Sequence, residues 1–176
     1  MKKWLLAAGV FVATLGFTKV AHAGGMFEPY VGYGMGKAGG SKTYTISGIY
    51  YGARLAYKDG SFFAGGEYQG AKMTWDTSPS QDTTGTDIGV VLGYELTAGV
   101  RLYGNYFITS KLKTGSNSGI EGTALKAGVG FKVMDPILMN VEYYMATYTK
   151  DDDGNTMGAN INSNIVMVNF SIPLEF

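Results

Sequence analysis

From residue 24 onward, apolar side chains recur at every second position rather than every third or fourth, and a period of two belongs to extended strands. The end of the chain shows the pattern most cleanly. Val166, Val168, Phe170, Ile172, Leu174 and Phe176 share one parity, and Met167, Asn169, Ser171 and Glu175 take the other. Ile88, Val90, Leu92, Tyr94 and Leu96 oppose Asp87, Gly89, Val91, Gly93 and Glu95 in the same way. So do Leu125, Ala127, Val129, Phe131 and Val133 against Lys126, Gly128, Gly130 and Lys132, and Ile137, Met139, Val141, Tyr143 and Met145 against Asn140, Glu142 and Tyr144. A segment of smaller residues, Phe62, Ala64, Gly66, Tyr68 and Gly70, repeats the alternation more weakly.

Gly-, Ser-, Thr- and Asp-rich stretches interrupt the alternation at Gly36 to Thr45, Asp76 to Gly85, Thr114 to Ser118 and Thr149 to Asn162, and these are expected to be long loops. Three tight connections lie between them, at Lys58-Asp59-Gly60-Ser61, Thr97-Ala98-Gly99 and Met134-Asp135-Pro136, each with a turn residue. The order strand, long loop, strand, short turn then repeats and predicts eight strands in an all-β fold. Short turns on one side and long loops on the other are the plan of an antiparallel up-and-down transmembrane β-barrel. Pro29 and Pro173 lack the N–H a ladder needs, which places both at the closing seam.

The first residues follow a different pattern. Lys2 and Lys3 precede an apolar run from Trp4 to Phe17 that ends near Ala21-His22-Ala23, the form of a cleaved signal peptide over 1–23, with the barrel domain over 24–176. The run is shorter than the roughly 20 apolar residues of a spanning helix. Loss of Lys2, Lys3 and Lys19 with this leader leaves a mildly acidic remainder without the basic footprint of a nucleic-acid binder. The chain has no Cys, which excludes disulfides and thiolate chemistry. Its single His is His22, inside the leader. Enzymes built on small membrane barrels use His as base with a Ser nucleophile, so Ser47, Ser110 and Ser163 lack a partner and no enzymatic activity is expected. The acidic run Lys150-Asp151-Asp152-Asp153-Gly154-Asn155 fails as a calcium loop, with Thr149 and Asn160 at its first and last ligand positions. It reads as a solvated turn, and no metal or cofactor is expected.

If the apolar parity faces lipid, the inward charges must find one another, because an unpaired charge in a narrow interior is costly. A two-residue turn flanked by Lys58 and Ser61 sets Arg54 opposite Gly65 and diagonal to Glu67. Matching Val133 to Ile137 sets Lys126 opposite Tyr144 and diagonal to Glu142, and matching Leu96 to Val100 sets Glu95 across from Arg101. Tyr30, Gln69, Tyr103, Asn105 and Asn169 fill the space around these pairs. Eight strands enclose an interior that side chains can fill, so the expectation is a packed polar core. One alternative is a narrow pore for protons or small ions gated by Arg54, Glu67, Lys126 and Glu142. Another is the inverted parity, a periplasmic lipocalin-like ligand-binding barrel, although its Gly-rich, charge-poor exterior would be odd in water. Tyr57, Phe62, Tyr94, Phe131 and Phe176 mark the periplasmic rim. Tyr51, Tyr68, Tyr106 and Tyr143 form a second tier about 15 Å higher, short of the apolar band's roughly 25 Å.

The alternating ending Val168, Phe170, Ile172, Leu174, Phe176, supported by the opening Tyr30-Val31-Gly32-Tyr33-Gly34, resembles the small outer-membrane barrels of the OmpA and OmpX type over residues 26–176. The resemblance implies an integral protein of the bacterial outer membrane, expected as a monomer, with its carboxyl-terminal strand read by the barrel-assembly machinery. It implies contact with outer-membrane lipid and lipopolysaccharide, and a structural or surface role, in adhesion or envelope integrity, through four extracellular loops. Trp75 and the run Asp82-Thr83-Thr84-Gly85-Thr86 are candidate contacts there. Full-length OmpA-like proteins carry a peptidoglycan-binding domain after the barrel; the sequence departs from them there, so wall anchoring is not expected.

Overall fold

The computed structural model describes residues 23–77, 79–96, 99–115, 118–151 and 153–176. Residues 1–22 of the expected signal peptide, Thr97 and Ala98 of the second tight turn, and Asp152 of the acidic run lie outside the described residues. Nine strand segments follow one another: β1 (Ala23–Gly39), β2 (Thr43–Asp59), β3 (Phe62–Trp75), β4 (Gln81–Glu95), β5 (Val100–Thr114), β6 (Ser118–Met134), β7 (Ile137–Asp151), β8 (Thr156–Ser171) and β9 (Leu174–Glu175). Each of β1 to β8 pairs antiparallel with the next, and β1 also pairs with β8 and β9. β8 and β9 form one broken stave, so the sheet closes as an eight-stranded up-and-down barrel.

The break is where the prolines sit. A strand residue points its N–H and C=O to the same neighbour, and the Pro29 carbonyl accepts the Ile172 N–H at 3.1 Å. The side of Pro29 that lacks a donor therefore faces the seam, next to Pro173, and no interior ladder loses a bond. Beyond the break, Gly25 and Phe176 exchange both backbone bonds at 2.7 and 2.9 Å and tie the last residue to the first strand.

The burial pattern orients the wall. Leu55 is 63% exposed and Leu92 57%, whereas their inward neighbours Arg54 and Val91 are both 0% exposed. This overturns the inverted, lipocalin-like arrangement, which needs those leucines inside. The outward parity read from the sequence holds on β3, β4, β6, β7 and β8, including the weak set on β3, whereas β5 changes phase at a bulge between Phe107 and Ser110.

Two expectations about the strands and their pairing need correction. The four long loops are short, because strands run through most of the polar stretches: β1 continues to Gly39, β4 begins at Gln81, β6 at Ser118 and β8 at Thr156. At these strand ends the outward residues, such as Lys37, Asp82 and Thr84, are exposed while small inward residues such as Ala38, Thr83 and Gly85 are buried, so Thr and Asn remain compatible with pairing although their composition resembles a loop. The β2–β3 register also differs by two residues, with Asp59 opposite Phe62 and Arg54 directly opposite Glu67. Gly60, at φ +57°, takes the first central position of the hairpin turn, where a glycine relieves the strain of positive φ.

The interior is layered rather than uniformly polar, which corrects the expected polar core. Nearest the periplasmic turns lie Met26, Ala56, Phe63 and Val91; further along the strands come the charged residues; beyond them Ile46, Tyr50, Met73, Leu112, Tyr148 and Ile165 form an apolar layer.

Candidate functional site

Three cations and three glutamates occupy the middle of the barrel, all 3% exposed or less: Arg54, Arg101, Lys126, Glu28, Glu67 and Glu142. Arg54 on β2 is the hub. It donates Nε to Glu67 at 2.9 Å, Nη1 to Glu28 at 3.0 Å and Nη2 to Glu142 at 2.5 Å, so one guanidinium joins β1, β3 and β7. The Tyr30 and Tyr103 rings lie 4.7 and 4.4 Å from its Cζ, within the range of cation–π attraction.

Each glutamate is shared between two cations. Arg101 reaches Glu28 through both terminal nitrogens, one at 2.7 Å. Lys126 donates to Glu67 and to the Gln69 carbonyl at 2.9 Å, and lies 3.5 Å from Glu142. Glu67 also accepts from Tyr30 at 2.6 Å and from Asn105, and Glu142 from Tyr103 at 2.5 Å. Arg101 further donates to Asn140 at 3.0 Å, and Asn140 bonds Asn169 at 2.8 Å.

Of the residues read as ion pairs, Arg54 and Glu67, and Lys126 and Glu142, come together. Glu95 and Arg101 do not. The register puts them directly across, yet Arg101 turns inward to Glu28 while Glu95, half-buried at the periplasmic mouth, takes Lys58 at 2.6 Å, which also bonds Glu175 at 2.5 Å. A fully buried guanidinium gains more from an equally buried carboxylate than from one at the rim. Sequence reasoning missed Glu28, whose signal was its inward parity between Met26 and Tyr30.

Among the described residues, a fourth buried acid, Asp87, accepts hydrogen bonds from neutral donors, Gln69 at 2.8 Å and the Tyr144 hydroxyl at 3.1 Å. Ser110 lies next to this group, 3.0 Å from Tyr144 and 3.3 Å from Tyr148, and Ser163 is also buried. The cavity in this layer measures about 10 Å³, at the lower limit for one water molecule. Trp75 packs against Tyr44 with ring centroids 6.3 Å apart. In the acidic run, Asp151 accepts the Asn155 N–H at 2.8 Å. Among the described residues no group of three His, Cys, Asp or Glu side chains is arranged to hold a metal ion.

The residues read as the carboxyl-terminal assembly signal, Val168, Phe170, Ile172, Leu174 and Phe176, all face outward along the closing stave. An apolar exterior, closed ladders and an ion-paired interior define the fold as that of the small eight-stranded outer-membrane β-barrels of the OmpA/OmpX type. Neisserial surface protein A is similar in structure, with a TM-score of 0.60 at 15% identity over 83% of this chain and 96% of that one. The attachment invasion locus protein Ail of Yersinia pestis, in complex with the heparin analogue sucrose octasulfate, also gives 0.60 at 15% identity, over 85% and 99%. A second structure of Ail gives 0.57 at 15% identity, again over 85% and 99%. No protein-family model and no curated protein matches the sequence.

Proposed function

We propose that the chain is a non-enzymatic, integral protein of the bacterial outer membrane, exported by a signal peptide over residues 1–23. Its barrel is an occluded scaffold, and its extracellular strand ends and turns carry a structural or surface-interaction role. One observation carries this reading: large apolar side chains cover the outside of the wall while Arg54, Arg101 and Lys126 each form ion pairs with glutamates inside it. A wall of this kind is stable only with lipid against it. The structural likeness to a Neisserial surface protein and to an attachment invasion locus protein supports a role at the cell surface. The outward stripe from Val168 to Phe176 is the stretch offered to the assembly machinery, and the barrel acts as a monomer.

Cell fractionation with a heat-modifiability gel tests the location. The protein is expected in detergent-requiring membranes and to migrate anomalously until boiled; recovery in the soluble periplasm overturns the reading. Spin labels at positions 90, 129 and 168 test the orientation, with lipid-like mobility and oxygen accessibility expected and water accessibility contradicting it.

A further inference from the structure

We propose that Lys72 on β3 and Lys113 on β5, with the Thr84 hydroxyl between them, form a binding site for a phosphate group of the lipid leaflet that surrounds the extracellular end of the wall. The inference rests on the membrane location proposed above. Lys72 pairs across the ladder with Thr84, and Thr84 with Lys113, so the three residues form one row. With strands about 4.8 Å apart, the two lysines stand roughly 10 Å from each other, and their side chains can converge on one tetrahedral anion. All three are exposed, and Lys72 continues the outward parity of Phe62, Tyr68 and Gly70.

Height assigns the occupant. Lys72 lies ten residues beyond Phe62, and Thr84 ten residues from Tyr94, the residue paired with Phe62 at the periplasmic rim. Ten residues at about 3.3 Å each on strands tilted by about 40° rise roughly 25 Å, the height of an apolar band. The row thus stands where the hydrocarbon ends and phosphates begin, facing sideways into the leaflet rather than up into solution. Neighbouring charges leave it available. Lys111, one step below Lys113 on the same face, is bonded to Glu121. Asp82, one step above Thr84, takes the Thr74 hydroxyl at 3.3 Å. Among the described residues neither Lys72 nor Lys113 has a carboxylate within 4.0 Å.

The test uses the refolded barrel in zwitterionic phosphatidylcholine nanodiscs, with lipid A titrated in and bound lipid counted by native mass spectrometry. Lipid A is expected to bind the unsubstituted barrel roughly tenfold more tightly than the K72Q/K113Q double variant. The K150Q variant, at the extracellular end of β7, is expected to match the unsubstituted barrel. Equal affinity in K72Q/K113Q overturns the proposal, as does equal binding of lipid A stripped of its phosphates. Displacement of lipid A by millimolar free inorganic phosphate also overturns it, since the site then recognises a soluble anion. Insertion of every variant into lipid-A-free nanodiscs, read by heat modifiability, is scored separately. A barrel that fails to insert contradicts the membrane reading, whereas an inserted barrel without phosphate preference contradicts this site alone.

Discussion

At the scale of single residues, the charged core makes Arg54 the side chain the barrel can least lose. It is the shared partner of Glu28, Glu67 and Glu142, and its removal leaves three buried carboxylates with only Arg101 and Lys126 between them. Removing one partner of a buried ion pair costs about 3–5 kcal/mol, mainly because the other charge stays behind. Arg54→Gln is expected to lower the unfolding free energy by about that amount, measured as a urea midpoint shift in lipid vesicles. Asp87→Asn is the contrasting change. Its partners Gln69 and Tyr144 are neutral donors, and an amide oxygen still accepts one of them, so the loss is expected to stay near 1 kcal/mol. Equal shifts for the two variants would show that the network does not hold the core. Which charges face inward was legible in the sequence because parity alone decides it. Their actual partners were less so: pairing by adjacent strands found Glu67 and Glu142, but Glu28 meets Arg101 across the lumen, a contact that no hairpin register contains.

At the scale of elements, the strands are held in register by large side chains lying over glycines. A Cβ on Gly93 would sit 2.1 Å from the Phe63 ring, and one on Gly128 would sit 2.4 Å from the Tyr103 ring. Gly128→Ala therefore has to push Tyr103 off Arg54 and away from Glu142. It is expected to cost about 1–3 kcal/mol, the usual range for overpacking. Gly66→Ala, outward with its nearest neighbour atom 3.8 Å away, is expected to be neutral in the same assay. The strand ends give a second expectation. Amides within β4 from Thr83 to Gly85 and that of Asn162 in β8, which have ladder partners on both sides, are expected to exchange slowly with solvent, while that of Ser80 exchanges quickly; uniformly fast exchange would restore the long loops. Composition misled here for a physical reason. Gly, Ser, Thr and Asn mark turns when a strand must bury a large apolar face, but these strand ends turn small residues such as Ala38, Thr83 and Gly85 inward and extend on their backbone bonds. The β2–β3 offset has a similar origin: the Asp59-Gly60 pair is a strong turn signal, yet the glycine is used one position earlier in the turn.

At the scale of the whole molecule, the question is whether the lumen passes anything. Past the apolar residues Met26, Phe63 and Val91 at the periplasmic end, an ion meets the charged layer, where Arg54, Lys126 and Arg101 already have their carboxylates, and leaving that layer would mean crossing Tyr50, Met73, Leu112 and Tyr148. The two barriers differ in kind: the first requires strong ion pairs to open, and the second requires a bare ion to shed its water into a space of about 10 Å³. Because they lie in series, removing one leaves the other standing. Both the unsubstituted barrel and Tyr148→Ala are expected to show no single-channel openings above background in planar bilayers at neutral pH. Discrete conductance from the unsubstituted barrel would mean that the ion network rearranges on the timescale of ion passage and would support the narrow pore. Conductance from Tyr148→Ala alone would place the whole seal in the apolar layer and leave the charged layer a wet path with fixed charges.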